Sequence, residues 1–287
     1  MPASKPDSQV ALLRSAPVAR AFALEHCSSD CNWYHPVWQY FRALGIIKNA
    51  GGHTDFLRDS LVSHAPEAPR VLISGCADDA MTLLAIDAYR EAGFPLDLTA
   101  VDVCESPLAL SRWSAGERDA RLTTRAIDIL EFDAGTPYDL IMTTGFLGYI
   151  HPEKRSRLFA RWASLLRPGG KLLFTNRLRP DAAETHYFSE EETRRYCALI
   201  RRRAEEARET IGVDPATIES WAREYAARFV GYPLRSVDDL HAHLRAAGFE
   251  ADRIDSTRFP GTPGTENLAG PTSAGSSDFV RLLATRI

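Results

Sequence analysis

The sequence predicts an α/β protein whose sheet is doubly wound and mostly parallel, with helices on both faces. Short apolar runs alternate with helical patterns between residues 70 and 176, and this order requires a parallel sheet. The first run, Val71 to Ser74, ends at Gly75 and turns directly into a helix. Two strands follow each other at the chain end, at 250–256 and 278–286, with no helix between them. One of these two is therefore expected to run antiparallel to the rest.

Residues 1–69 are predicted to form a helical cap on this sheet. Residues 9–25 are rich in Ala and Leu, and the apolar residues from Trp33 to Leu44 recur at helical spacing. Pro69 ends that pattern just before the first strand. We therefore expect a second unit, the sheet domain, over residues 70–287.

Predicted strands and helices alternate regularly in the middle of the chain until an insertion interrupts the pattern. The predicted core strands are 71–74, 96–101, 122–127, 138–143 and 171–176, and the helices between them are 78–92, 107–118 and 153–166. The insertion, residues 180–235, has helical signals and is expected to form a lid. Ser189 with Glu192 is a capping-box pattern before a helix ending at Gly212, and Asp214-Pro215 begins another helix.

The chain end is predicted to hold a short helix before its two strands. Ser236 opens the helix and Gly248 stops it. The loop 260–277 between the strands is rich in Gly, Pro, Thr and Ser, and we expect it to be mobile.

The composition is that of an ordinary globular protein. The 287 residues are 45% hydrophobic and carry a formal net charge of -4, so no overall positive field favours nucleic acid, and a small uncharged or zwitterionic substrate fits better. The cysteines are odd in number and irregularly spaced: Cys27, Cys31, Cys76, Cys104 and Cys197. They do not resemble a disulfide framework. The N-terminal residues lack the apolar core of a signal peptide, and no stretch approaches the about 18 apolar residues of a membrane span. We expect a cytoplasmic protein with no membrane partner; the oligomeric state stays open, a homodimer included.

The turn after the first strand indicates a nucleoside cofactor. An apolar strand that stops at a glycine and enters a helix builds a nucleotide cradle. Asp102 ends the second strand, 27 positions after Gly75, where a carboxylate can accept both hydroxyls of a ribose.

Four motifs in this order resemble the class I S-adenosylmethionine-dependent methyltransferases, over residues 70–178 and 236–287. They are the turn Val71 to Ala77, Asp102 in Ala100-Val101-Asp102-Val103, Asp128-Ile129, and Leu165-Leu166-Arg167-Pro168-Gly169-Gly170-Lys171-Leu172. The resemblance implies a Rossmann-like fold, S-adenosylmethionine as cofactor, and cofactor contacts from Ser74, Gly75, Cys76, Ala77, Asp102, Val103, Asp128, Ile129, Thr143 and Thr144.

The glycine turn departs from the usual Gly-x-Gly-x-Gly of that family. Here the three positions are Gly75, Ala77 and Asp79. Binding the cofactor's ammonium or repelling its carboxylate are alternatives for Asp79, but capping of the following helix is the favoured interpretation. Asp78 and Asp79 at a helix start would repel a pyrophosphate. A nicotinamide dinucleotide is therefore disfavoured, whereas the cationic sulfonium cofactor is favoured.

The candidate catalytic residues lie outside the core strands. Residues 26–40 hold four large aromatic side chains and two histidines. Aromatic faces attract cations by about 0.5–2 kcal/mol each, and Tyr34 or His35 could take a proton from an acceptor. Trp33 and Trp38 could equally serve only to pack the cap. The loop after the fourth strand offers Tyr149 but no strong general base.

Asn176 and Arg177 end the fifth strand and could supply polar contacts to the substrate; for Arg177 an ordinary salt bridge is an equal alternative.

The same aromatic segment raises the question of zinc. It contains His26, Cys27, Cys31 and His35, but no Cys-x-x-Cys hairpin and no second ligand pair later in the chain. The sequence therefore argues against a metal site.

These features favour an enzyme of secondary metabolism that transfers a methyl group to an oxygen or nitrogen of a small molecule. In a second hypothesis the same cofactor is attacked at its aminopropyl carbon, giving azetidine-2-carboxylate and methylthioadenosine. A third is a cofactor-binding protein without catalysis.

Overall fold

The computed structural model describes residues 9–47, 53–63, 68–259 and 277–287. Its helices are α1 (Gln9–His26), α2 (His35–Ala43), α3 (Thr54–Ser63), α4 (Ala80–Ala92), α5 (Glu105–Gly116), α6 (Pro152–Leu165), α7 (Glu190–Glu206), α8 (Arg208–Ile211), α9 (Pro215–Arg228) and α10 (Val237–Ala246). Its strands are β1 (Arg70–Ser74), β2 (Asp97–Asp102), β3 (Thr123–Ala126), β4 (Tyr138–Thr144), β5 (Leu166–Leu178), β6 (Phe249–Phe259) and β7 (Ser277–Arg286). The predicted loop 260–277 lies outside the described residues except for its last residue.

The seven strands form one sheet in the order β3-β2-β1-β4-β5-β7-β6. The neighbours from β3 to β5 are parallel, and β7 runs antiparallel to both β5 and β6. The predicted Rossmann-like fold, with its antiparallel strand near the chain end, is confirmed. Strand order reverses between β1 and β4, and in such sheets ligands bind outside the carboxyl ends of the strands at this switch point.

Alternating side chains of the central strands fill two apolar layers. Val71 and Ile73 of β1 pack with α3, α4 and α5 on one face, whereas Leu72 faces the layer that contains Trp162 of α6 and Leu240 of α10. All three β1 side chains are fully buried. Burial on both faces explains why the core strands read as continuous apolar runs.

A third apolar cluster joins the predicted cap to the predicted lid. Phe41 of α2, Tyr196 of α7 and Tyr225 of α9 are fully buried in it, together with α1 residues such as Ala16. α3, by contrast, packs on the sheet side with Phe56, Leu57 and Leu61. This helical layer is thus built from the N-terminal helices α1 and α2 together with the inserted helices α7 and α9. The domain boundary at residue 69 stays a prediction.

Most of the expected helix signals are found. Ser189 accepts from the backbone N–H of Glu192, and the Glu192 carboxylate accepts from the Ser189 N–H, which completes the capping box. Asp214 and Ser236 cap α9 and α10. The helix expected to end at Gly212 is instead broken at Ala207 into α7 and α8.

Asp79 does not cap α4, so that interpretation is wrong. It occupies the N-cap position without a side-chain cap bond, and Asp78 Oδ1 accepts from the Ala80 N–H at 2.7 Å instead. The Asp79 carboxylate turns inward to Gln39, Arg42 and Ser114.

β5 begins at Leu166, five residues earlier than the sequence predicts. The Pro-Gly-Gly motif lies inside the strand as a bulge, because Tyr138 pairs with Leu166 and Leu140 already pairs with Lys171. Gly169 has φ +76°, and a Cβ on Gly170 would lie 2.9 Å from the Arg167 carbonyl. Only glycine fits at these two positions of the bulge.

Among the described residues, no helix has the length and apolar content needed to cross a membrane.

Candidate active site

The turn after β1 and the end of β2 form one hydrogen-bonded unit at the sheet edge. Gly75 donates its N–H to the Val101 carbonyl at 2.9 Å. Asp102 Oδ2 accepts from the Cys76 N–H at 2.7 Å, and its Oδ1 accepts from the Cys104 N–H at 2.8 Å. Burial raises the pKa of Asp102, and the two N–H donors oppose that rise. The carboxylate is thus fixed at the cradle, with a second lone pair left on each oxygen.

A buried ion cluster lies beside this turn. Arg42 Nη1 is 3.0 Å from Asp78 Oδ2 and 3.3 Å from Asp79 Oδ1. Trp38 Nε1 donates to Asp78 at 2.7 Å, and Ser114 donates to Asp79 at 2.5 Å. Burial raises the pKa of Asp79 although Arg42 opposes the rise. One guanidinium faces two carboxylates, and with both carboxylates ionised the cluster carries a net negative charge, which favours a cation over a phosphate.

The loop after β4 meets the glycine turn. Gly145 takes φ +65° and donates to the Thr175 carbonyl at 2.8 Å. A 3-10 turn at Phe146–Tyr149 follows. The Phe146 ring packs on Gly75, where an added Cβ would lie 2.5 Å from the ring. Thr143 is buried and Thr144 half-buried at the strand end.

Three tyrosines from separate segments, which we call the tyrosine cluster, meet above this edge: Tyr34, Tyr149 and Tyr225. The Tyr34 ring is 6.1 Å from Tyr149 and 6.2 Å from Tyr225, between centroids. Trp33 lies 5.4 Å from Tyr225, and Trp38 lies 4.6 Å from Tyr34. Because Trp38 also bonds Asp78, the cluster is attached to the glycine turn. Burial raises the pKa of Tyr34, so its hydroxyl stays neutral.

His35 lies on the other side of Tyr34, among three thiols. Its Nδ1 is 3.4 Å from Cys27 Sγ, and Cys104 Sγ is 3.7 Å from Cys27 Sγ and 3.6 Å from Cys31 Sγ. Burial lowers the pKa of His35, but its hydrogen bonds to the thiols outweigh burial and raise it to about 9. The hydrogen bond from Cys27 lowers the pKa of Cys104 to about 3. The role of His35 as a base stays a prediction.

The end of β5 contributes buried polar groups. Asn176 Nδ2 donates to the Arg177 carbonyl at 3.0 Å. Its Oδ1 has no hydrogen-bond partner within the described part of the chain, and the same holds for Thr143 Oγ1. Burial lowers the pKa of Arg177 to about 9 and that of Arg179 to about 10.

The remaining predicted cofactor residues take different places. Ser74 is fully buried and its hydroxyl accepts from Trp162 Nε1 at 3.0 Å, while Ile129 is buried in the core. Val103 is 72% exposed and Asp128 is exposed at the rim. Cys76 is buried and Ala77 half-buried in the turn itself. Contacts of these residues with a cofactor stay predictions.

Sequence reasoning missed four residues at this edge: Gln39, Arg42, Cys104 and Tyr225. Gln39 and Arg42 lie four and seven positions after His35 on the buried face of α2, and polar residues on an otherwise apolar helix face were the available signal. Tyr225 lies in the insertion 180–235, which the sequence predicts to form a lid.

S-adenosylmethionine fits the groups at this edge. The Asp102 carboxylate, the net negative ion cluster and the aromatic rings suit a ribose and a sulfonium. Thr143 Oγ1 and Asn176 Oδ1 are buried polar atoms with hydrogen-bonding capacity to spare among the residues described.

Comparisons with known proteins agree with the fold. Residues 71–170 match the family described as Methyltransferase domain. The 1,6-didemethyltoxoflavin-N1-methyltransferase of Burkholderia thailandensis is 18% identical, with TM-score 0.54 over 100% of this chain and 92% of that one. The magnesium protoporphyrin IX methyltransferase of Synechocystis PCC 6803 is 14% identical, with TM-score 0.51 over 95% of this chain and 97% of that one. No curated protein matches the sequence.

Over residues 71–170 the chain is similar to a methyltransferase domain, and at 14–18% identity its likeness to the two solved methyltransferases is one of fold.

Proposed function

We propose that this protein transfers a methyl group to an oxygen or nitrogen of a small molecule bound in an enclosed site. The observation that carries the proposal is the tyrosine cluster, which brings α2, the loop after β4 and α9 together over the glycine turn. Cover from the N-terminal helices and the insertion supports a small molecule over a polymer as substrate. The names of the two structural neighbours specify small molecules as well.

The residues of the chain would act mainly by binding and orientation. Asp102 is the partner for the ribose hydroxyls, and the ion cluster gives the turn a negative potential. When bound, S-adenosylmethionine supplies an activated sulfonium methyl group. The aromatic rings of Tyr34 and Trp38 favour positive charge by about 0.5–2 kcal/mol each. Tyr149 and Asn176 are the polar groups that would position an acceptor, and positioning alone can lower such a barrier substantially.

One observation favours the second candidate, in which the aminopropyl carbon is attacked. The described residues at this edge offer no free general base: Thr143 and Thr144 occupy the loop positions, His35 Nδ1 lies 3.4 Å from the Cys27 thiol, and burial raises the pKa of Tyr34. In that reaction the amino nitrogen forms a bond to the carbon, the carbon–sulfur bond breaks, methylthioadenosine leaves with the electron pair, and the amino group loses a proton to water. Azetidine-2-carboxylate is the other product.

The test is to incubate the purified full chain with S-adenosylmethionine alone and to follow nucleosides by mass spectrometry. The proposal expects the cofactor to bind and stay intact until an acceptor is added, and then to yield S-adenosylhomocysteine. Tyr34→Phe and Asp102→Ala should weaken binding or turnover, whereas Tyr187→Phe, at an exposed ring outside the site, should not.

The other outcomes separate the alternatives. Methylthioadenosine formed without an acceptor, and lost in Asp102→Ala, would replace methyl transfer by the cyclisation. Binding without turnover of any kind, across a library of small hydroxyl and amino compounds, would leave a cofactor-binding protein. Absence of binding by titration calorimetry would contradict both enzymatic hypotheses.

A further inference from the structure

Four soft ligand side chains converge beside the cofactor-binding edge. They are Cys27, Cys31, His35 and Cys104, and their ligand atoms all lie within 4.8 Å of one another. Cys27 and Cys31 lie between α1 and α2, His35 is the first residue of α2, and Cys104 directly precedes α5. Cys27, Cys31 and His35 stand together in the sequence, which nevertheless argues against a metal site, because the fourth side chain, Cys104, lies 69 positions after the nearest of them.

The local backbone explains why the first three face one point. Cys31 N–H and Asn32 N–H both donate to the Ser28 carbonyl, and His35 N–H donates to the Cys31 carbonyl at 3.2 Å. This helical turn places the side chains of Cys27, Cys31 and His35, each four residues apart, on one side. Arg228 of α9 holds the turn from outside through the Ser29 carbonyl at 2.9 Å.

We propose that Cys27, Cys31, His35 and Cys104 bind one zinc ion in a four-coordinate structural site that fastens the helical cap to the end of β2. Three thiolates and one imidazole are a common ligand set for structural zinc. No fifth position is needed, so the site is closed and supplies no activated water.

Three of the six distances between ligand atoms match a tetrahedral site, and all six lie within 4.8 Å. Zinc–sulfur bonds of about 2.3 Å and zinc–nitrogen bonds of about 2.0 Å place tetrahedral neighbours about 3.5–3.8 Å apart. The observed separations are 3.7 Å between Cys27 and Cys104, 3.6 Å between Cys31 and Cys104, and 3.4 Å from Cys27 Sγ to His35 Nδ1. These sulfur–sulfur separations also exceed the about 2.05 Å of a disulfide bond.

The surroundings suit a metal that is held tightly and loaded from solvent. Cys104 and His35 are buried, whereas Cys27 and Cys31 are half-buried at the entry side. Cys104 precedes the first turn of α5, and the positive end of the helix dipole favours a thiolate there. The Cys104 N–H bonds Asp102 Oδ1 at 2.8 Å, which positions the ligand through a carboxylate outside the site.

The zinc site would also order the cofactor edge. Tyr34 directly precedes a ligand, and Asp102 is bonded to another. Metal binding would thus fix both the tyrosine cluster and the ribose acid relative to the sheet. This inference is independent of which reaction the protein catalyses.

The first measurement is the metal content of the full chain, purified without chelators and dialysed after incubation with zinc sulfate. The expected result is about one zinc per chain in the wild type and in Cys197→Ser, whose buried thiol lies on α7 outside the cluster. Cys31→Ser and Cys104→Ser should bind zinc at least tenfold more weakly in competition with a chromogenic chelator.

A second readout does not depend on any variant. Cobalt added to metal-free wild-type protein should give the visible bands of tetrahedral cobalt together with thiolate-to-cobalt charge-transfer absorption. A wild-type chain that stays metal-free after dialysis would overturn the proposal. So would zinc retained equally in Cys31→Ser and Cys104→Ser, or an intramolecular disulfide among the three thiols shown by a mass two hydrogens lower.

Discussion

Gly75 shows how a single residue determines the cradle. Its φ of +77° lies in the left-handed region, and the Phe146 ring covers the position of a missing Cβ. The strand can therefore turn sharply and bring the Cys76 N–H onto Asp102. The sequence predicts this glycine's role, but not that an aromatic ring of the β4 loop packs on it.

Gly75→Ala is expected to destabilise the fold and to weaken binding of S-adenosylmethionine. The left-handed backbone costs an alanine about 1–2 kcal/mol, and displacement of Phe146 adds to it. Urea unfolding measures the first effect and titration calorimetry the second. Gly116→Ala is the matched control, since a Cβ at that helical glycine meets nothing within 4 Å. Equal stability of the two variants would contradict this account of the turn.

Arg42 holds two buried carboxylates together, and only its polar character on an otherwise apolar helix face marks it in the sequence. Arg42→Met should lower the free energy of unfolding by about 3–5 kcal/mol, because Asp78 and Asp79 lose their common cation. Arg157→Met removes an exposed ion pair with Glu131 and should cost less than about 1 kcal/mol.

The loss in free energy of unfolding caused by Arg42→Met should depend on pH. The pKa of Asp79 is already raised by burial with Arg42 present, and it rises further without it. A carboxyl whose folded pKa is raised destabilises the fold when ionised, and protonation at lower pH relieves this. Urea unfolding at pH 7, 6 and 5 should show the deficit shrinking as pH falls; a constant or growing deficit would argue against buried charge as its cause.

At the scale of elements, local signals were strong at the starts of α7, α9 and α10. Ser189 and Glu192 form the capping box that their spacing predicts. The strands of the core were predicted to within a few residues, because burial on both faces makes them uniformly apolar. The exceptions are β5, where a bulge admits Pro-Gly-Gly into the strand, and Asp79, whose carboxylate finds partners on α2 and α5. Both depend on contacts that are distant in sequence.

Ser189→Ala is expected to cost about 1 kcal/mol, since it leaves the N–H of Glu192 at the start of α7 without its side-chain acceptor. Ser164→Ala, at an exposed position within α6, is the control and should be neutral or slightly stabilising. Thermal and urea unfolding compare the two. A loss in Ser164→Ala as large as in Ser189→Ala would contradict a specific role of the cap.

At the scale of the whole molecule, distant segments are joined around the sheet. α1 and α2 share a core with α7 and α9. His53 accepts from Arg281 Nε of β7 at 3.2 Å, and its ring meets Phe279 at 5.0 Å. Burial, with the charge of Arg281, lowers the pKa of His53 to about 4, although Asp255 opposes the shift.

The buried His53 should make stability depend on pH between about 4 and 6.5. In this range the unfolded chain takes up a proton that the folded imidazole does not, so the free energy of unfolding falls as pH falls. His53→Gln should flatten this slope in urea unfolding between pH 7 and 5. An unchanged slope would show that other groups determine it.

The sequence by itself determined the parallel sheet, the antiparallel strand near its end, the cap signals and the order of the cradle motifs. These depend on burial patterns and on residues within a few positions of one another, which a single chain displays directly. The tertiary structure alone decided which distant side chains meet: Arg42 with two aspartates, three tyrosines from three segments, and Cys104 with the thiols and imidazole of the cap. Such contacts follow from the packing of helices onto the sheet, and no local pattern encodes that packing.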